Sequence, residues 1–242
     1  MADSVADIYR DGSYAAKNPS FGNENTAWKA RQIIRMMEKH GIKPRTICEI
    51  GCGSGGILDY LHRVLPSSTS FTGVEPMPEA FAACSQRSRD RLIFRNGAAS
   101  EVEEVFDLVL LLDVFEHVEN YMGFLRSLRR LGKQFIFHIP LDMNTQMVFR
   151  DEPIMRVRHD VGHLHYFSKS TALATLRDSG YKVEDWFYSD TRGSAYTSWR
   201  TRLMALPRRI LMSISADFAV RLLGGNPMTA LARPASPPLP AS

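Results

Sequence analysis

Apolar positions along this chain change period repeatedly, and the changes mark out its elements. Thr46-Ile-Cys-Glu-Ile50 is a short apolar run without helical spacing. In Ser54–Leu65, Ile57, Leu58, Leu61 and Leu65 recur at three- and four-residue intervals as one helical face. Phe71–Pro76, Leu92–Arg95 and Phe135–Pro140 are further short runs bounded by polar or turn residues, and Phe106–Val118 holds another. Upstream, Trp28–His40 carries Ile33, Ile34, Met36 and Met37 on a helical stripe, after a turn-rich stretch from Ser13 to Ala27. Buried strands alternating with helical segments predict an open, mainly parallel α/β sheet. Near the end, Met228–Ala232 follows a Gly-Gly-Asn-Pro turn and is the candidate last strand.

The first strand runs into Gly51-Cys52-Gly53-Ser54-Gly55-Gly56, a glycine-rich turn opening a helix, where a cofactor binds in such sheets. The spacing of Gly51, Gly53 and Gly56 also suits a dinucleotide pyrophosphate. Glu49 decides against it. A carboxylate two residues before the turn repels a pyrophosphate but attracts the sulfonium and ammonium of S-adenosylmethionine (SAM). Glu75 ends the second strand 24 residues after Gly51, the separation at which a carboxylate reaches ribose hydroxyls.

With these motifs in place, the sequence resembles the class I SAM-dependent methyltransferases, through Glu49-Ile-Gly-Cys-Gly-Ser-Gly and Val74-Glu75-Pro76. Phe106–Val118 is similar to the fourth-strand segment, and His163-Leu-His-Tyr-Phe-Ser168 to a segment following the fifth strand, of small-molecule methyltransferases related to the ubiquinone-pathway O-methyltransferases; together the likeness covers roughly residues 45–190. The resemblance implies a Rossmann-like, doubly wound, seven-stranded sheet with an antiparallel last strand. It implies SAM bound by Glu49, Gly51, Cys52, Gly53, Glu75, Pro76, Met77, Gly97, Ala98, Ala99, Asp113 and Val114, with S-adenosylhomocysteine as product. Where many relatives carry an acid after Gly97, this chain has Ala98-Ala99, so the adenine is expected to rest on backbone amides. It further implies that residues 1–44 cap the cofactor and contribute to the acceptor pocket, that 45–233 form the catalytic domain, and that the Pro-rich 234–242 is a disordered tail.

The sulfonium already activates the methyl group, so the protein supplies alignment and, for a hydroxyl acceptor, a base. Histidines stand in suitable places: His163 is the expected general base, with His165 and His117 behind it. Tyr14, Asn18, Trp28, His138 and His159 are expected substrate contacts. A divalent metal on His159, Asp160, His163 and His165 is weighed and set aside, because no second acidic cluster accompanies them. The expected reaction is O-methylation of a small molecule or glycan. The alternatives are N-methylation of an amine, a nicotinamide-dependent oxidoreductase, or a SAM-binding protein without turnover; no Tyr-x-x-x-Lys pair supports the oxidoreductase.

Composition narrows the partners. The chain has 242 residues, is 44% hydrophobic and carries a net charge of +4 with a pI near 9.0. Much of the excess lies between Arg192 and Arg209, a local patch rather than a field for nucleic acid, and Asp113-Val-Phe-Glu116 lacks the Pro-Pro-aromatic pattern of base methyltransferases. Arg200–Met212 has amphipathic character interrupted by Pro207; packing on the domain is expected, ahead of membrane contact. No signal peptide or membrane-spanning run is visible, so a cytoplasmic monomer or homodimer is expected. Cys48, Cys52 and Cys84 are expected as reduced thiols.

Overall fold

The computed structural model describes residues 16–20, 23–189 and 205–235. Tyr14, Arg200 and Arg202 lie outside them. After a 3₁₀ turn at Asn23–Asn25, the elements run α1 (Thr26–Lys39), β1 (Thr46–Ile50), α2 (Gly56–Val64), β2 (Ser70–Glu75), α3 (Pro78–Ser85), β3 (Leu92–Asn96) and β4 (Phe106–Leu112). Then follow α4 (Tyr121–Leu128), β5 (Gly132–Ile139), α5 (Thr145–Arg150), α6 (Glu152–Val161), α7 (Lys169–Asp178) and β6 (Tyr181–Tyr188). The last described elements are α8 (Ala205–Ile214), α9 (Ala216–Leu223) and β7 (Met228–Pro234).

The strands form one sheet ordered β3-β2-β1-β4-β5-β7-β6, the seven-stranded Rossmann-like arrangement expected. The central pairings are parallel, and β7 enters antiparallel between β5 and β6. The chain winds outward from β1 toward β3, then returns to begin again at β4, so β1 and β4 flank the switch point where ligands bind.

Burial on both faces explains the unbroken apolar runs of the central strands. Along β4, Val109 and Leu111 enter one layer with Leu125 and Leu128 of α4 and Leu176 of α7. Leu108, Leu110 and Leu112 enter the other with Ile33 and Met36 of α1 and Leu58 and Leu61 of α2. Successive strand residues face opposite sides, so each layer takes alternate positions.

Three boundaries differ from the sequence reading. Helix α2 begins at Gly56 rather than Ser54, because residues 51–55 are spent on the turn, with Gly51, Gly53 and Gly55 all at positive φ. Strand β7 runs on to Pro234, which pairs with Tyr181 of β6 beyond the last β5 partner of β7 at Ala232. Pro207 does not end a helix: it is the third described residue of α8, which continues to Ile214. No helix among the described residues is long and apolar enough to cross a membrane.

Candidate active site

A cavity of about 1200 Å³ opens at the switch point, lined by the β1, β2, β4 and β5 termini, α1 and the α5–α6 segment. Its first half is the glycine turn. Gly51, at φ +69°, has no room for a side chain: a Cβ there would lie 3.0 Å from Val114 Cγ2. The Gly51 and Cys52 N–H groups both donate to the Val74 carbonyl, at 2.8 and 3.2 Å. The Glu75 carboxylate accepts from Gly53 N–H at 2.8 Å and Met77 N–H at 2.9 Å, tying the first turn to the second. Burial raises the Glu75 pKa, and these two N–H donors oppose the rise.

Glu49 is 2% exposed, and its Oε2 has no hydrogen-bond partner among the described residues. Burial pushes its pKa up to about 8; nearby Lys29 lowers it and Glu75 raises it. An orphaned, buried acid at the cavity wall fits a ligand that brings its own cation. Pro76 and Met77 line the cavity beside Glu75.

At the end of β4, Asp113 takes a left-handed conformation (φ +57°) and accepts from Lys29 Nζ and His138 Nδ1, both at 2.6 Å. Burial alone would raise its pKa, but His138 and Lys29 hold it well below the ordinary carboxylate range. Val114 follows on the wall.

Gly97, Ala98 and Ala99 lie outside the cavity lining. The Gly97 N–H donates to the Glu75 carbonyl at 3.3 Å and the Ala98 N–H to Glu101 Oε1 at 3.3 Å, so both amides are engaged by the protein itself.

The second half of the cavity gathers His117, Asp142 and His163. His163 Nδ1 lies 2.7 Å from Asp142 Oδ2. A carboxylate only accepts, so Nδ1 carries the proton and Nε2 the lone pair. His117 Nδ1 likewise donates to the Gly162 carbonyl at 3.1 Å, and the two imidazole centroids are 4.8 Å apart. Burial pushes the His117 pKa down to about 4, with His163 adding to the effect. Glu116 is fully buried, and neither carboxylate oxygen has a hydrogen-bond partner among the described residues. Burial, then Asp113 and Asp142, raise its pKa well above the usual value. One ligand atom from each of Glu116, His117 and His163 lies within 4.8 Å of the others. Two imidazoles fixed through Nδ1 and a bare buried carboxylate are a donor set suited to a divalent cation.

The histidines that look clustered in sequence are separated in space. His159 is exposed on α6, and its carbonyl accepts from Lys17 Nζ at 2.9 Å. His165 Nε2 reaches the Val118 and Glu119 carbonyls at 3.0 and 3.2 Å, and its ring lies 4.4 Å from that of Tyr121. Of the four weighed metal ligands only His163 joins the cluster; Glu116 and His117 supply the rest. Asn18 lines the cavity, with Nδ2 on the Asp160 carbonyl at 2.9 Å, so the N-terminal segment is strapped to α6. Trp28 is 2% exposed and outside the lining, edge-on to the His138 ring at 5.4 Å; His138 itself lines the cavity.

Lys29, Asp142 and Glu116 are site residues that the sequence reading did not assign. Lys29 lies beside an assigned tryptophan and Asp142 directly after a strand-end Pro-Leu, where position alone could have marked them.

This geometry matches what comparison finds. The chain belongs to the methyltransferase domain family, matched over residues 23–185. It is a SAM-dependent methyltransferase of class I. A ubiquinone biosynthesis O-methyltransferase from Azorhizobium caulinodans is 33% identical over 91 residues, 35% of each chain. The mitochondrial enzyme of that name from Schizosaccharomyces pombe is 26% identical over 172 residues, 66% of this chain and 61% of its own. The alignments therefore span about a third and three fifths of these relatives. Among solved structures, magnesium protoporphyrin IX methyltransferase from Synechocystis PCC 6803 with bound SAH has the same fold, with TM-score 0.57, 13% identity and coverage of 85% of this chain and 82% of that one.

Proposed function

We propose that the enzyme moves the methyl group of SAM to a hydroxyl of a small molecule or glycan, with His163 as general base. The observation that carries this reading is the Asp142–His163 pair, whose Nδ1 contact at 2.7 Å sets the tautomer that accepts a proton at Nε2. SAM, when bound, supplies a sulfonium-activated methyl carbon. Glu49 would meet its ammonium and Glu75 its ribose hydroxyls, and the Gly51–Gly53 backbone would allow its close approach. The acceptor oxygen bonds to the methyl carbon as the carbon–sulfur bond breaks, the bonding pair stays on sulfur, and the hydroxyl proton passes to His163. Asp142 stabilises the imidazolium, and the Asn18 strap and the buried wall keep water out.

A second reading keeps the methyl transfer but replaces the base: a divalent cation held by Glu116, His117 and His163 would take the His163 Nε2 lone pair and would itself lower the pKa of the acceptor hydroxyl. The unpartnered, fully buried Glu116 carboxylate favours it, since a cation would supply the charge that burial withholds.

The test is methyl transfer from labelled SAM to a panel of phenols, catechols, sugars and amines, with and without chelator. Transfer to hydroxyl acceptors that persists in chelator and fails in His163→Ala supports the base. Loss in chelator with rescue by Mg²⁺, Mn²⁺ or Zn²⁺ supports the cation, and transfer to amines alone overturns O-methylation.

A further inference from the structure

Six of the ten exposed large apolar side chains among the described residues stand on four short helices. They are Val148 and Phe149 of α5, Met155 of α6, Ile210 and Ile214 of α8, and Phe218 of α9. These helices are continuous in space: α6 packs on α5, α5 on α9 and α9 on α8. Thr145 Oγ1 secures the middle joint by donating to the Arg221 carbonyl at 3.1 Å. Phe149 is 89% exposed and Ile214 76%, a cost in water that packing of the domain does not require.

The opposite sides of α5 and α6 turn Met147, Val157 and Val161 into the cavity. Along α5 and α6, exposed apolar side chains and cavity-lining ones thus share the same two helices. Exposed arginines stand on the same helices, at Arg150, Arg209 and Arg221. Of the acids there, Glu152 is paired with Arg156 and Asp217 with Lys169, leaving Asp151 at the start of α6 and Asp160 in its last turn.

We propose that this face docks on an anionic lipid bilayer, its apolar side chains entering the headgroup boundary and its arginines meeting lipid phosphates. The attachment is peripheral, without a spanning element. A second copy of the chain is a poorer occupant, because a twofold contact would bring the Arg150, Arg209 and Arg221 face of one copy against the same arginine-bearing face of the other.

The test is flotation of the full chain with vesicles of phosphatidylcholine alone or mixed equally with phosphatidylglycerol, alongside light scattering without lipid. The wild type is expected to float with the anionic vesicles, little with the neutral ones, and to be released by salt. Phe149→Asp/Ile214→Asp should partition at least roughly tenfold less, and Arg209→Gln about fivefold less, while both bind SAM as the wild type does. Failure of the wild type to float, or flotation of the double variant equal to it, overturns the proposal. So does a dimer in solution that the double variant dissolves while flotation is unchanged. Because SAM binding is read separately, failure here is distinguishable from failure of the methyl-transfer reading.

Discussion

The two halves of the cavity are built by different means. The cofactor half is a single local object: one strand, one glycine turn and one following strand end, held by backbone N–H groups on the Val74 carbonyl and the Glu75 carboxylate. The other half, proposed to take the acceptor, is an assembly in which His117 follows β4, Asp142 follows β5 and His163 follows α6, each oriented by a partner from another segment. A turn tolerates change in its neighbours and little change in itself; an assembly of side chains fails wherever one partner is lost. Substitutions should therefore separate binding from turnover.

The largest separation is expected for His163→Ala, with turnover lowered by about 10²–10⁴ and SAM affinity unchanged in calorimetry. His165→Ala, whose imidazole is committed to two backbone carbonyls, should leave turnover near the wild type; an equal loss in both variants would dissolve the assignment. Next, Glu75→Ala should weaken SAM by about 1–3 kcal/mol, the scale of a lost charge-assisted hydrogen bond. Chemistry in the saturated complex should survive. Gly55→Ala is expected to cost about 1–3 kcal/mol of stability, read by thermal or urea unfolding, because a Cβ at φ +74° would lie 2.6 Å from the Phe94 ring.

The smallest effect concerns pH. Glu49 has a folded pKa of about 8 against an ordinary 4.5, so its contribution to the stability of the ligand-free protein is full below 4.5 and is lost as pH rises through 8. A cationic ligand needs the ionised form and expels that proton. SAM affinity should consequently rise between pH 6 and 8, and Glu49→Gln should flatten both slopes. A wild-type affinity independent of pH would remove Glu49 from contact with the ammonium.

This contrast also governs how much of the molecule could be read before its structure was known. The open α/β sheet follows from alternating apolar runs, since buried strands and amphipathic helices leave strong periodic marks, and its antiparallel last strand from the family resemblance. Gly51, Glu49 and Glu75 were legible because the chemistry that joins them spans one β-α-β unit. Asp142 was not, because nothing local distinguishes a strand-end aspartate from one that orients a histidine 21 residues away. Lys29 was hidden for the same reason, its partner Asp113 lying in another element. The run His159–His165 misled by adjacency: Gly162, left-handed at φ +79°, ends α6 and sends the histidines in different directions.

The antiparallel insertion of β7 carries a consequence for synthesis on the ribosome. Strand β6 reaches the sheet only through β7, which pairs with β5 on one side and β6 on the other. Until residues 228–234 have emerged, β5 presents an open edge and β6 has no neighbour to join. The nascent chain therefore holds a completed cofactor half beside an unfinished sheet, and a hydrophobic edge of that kind is what chaperones shield. A stop codon just before Met228 would leave this state permanent, and the truncated product is expected to be aggregated although every residue of the glycine turn is present.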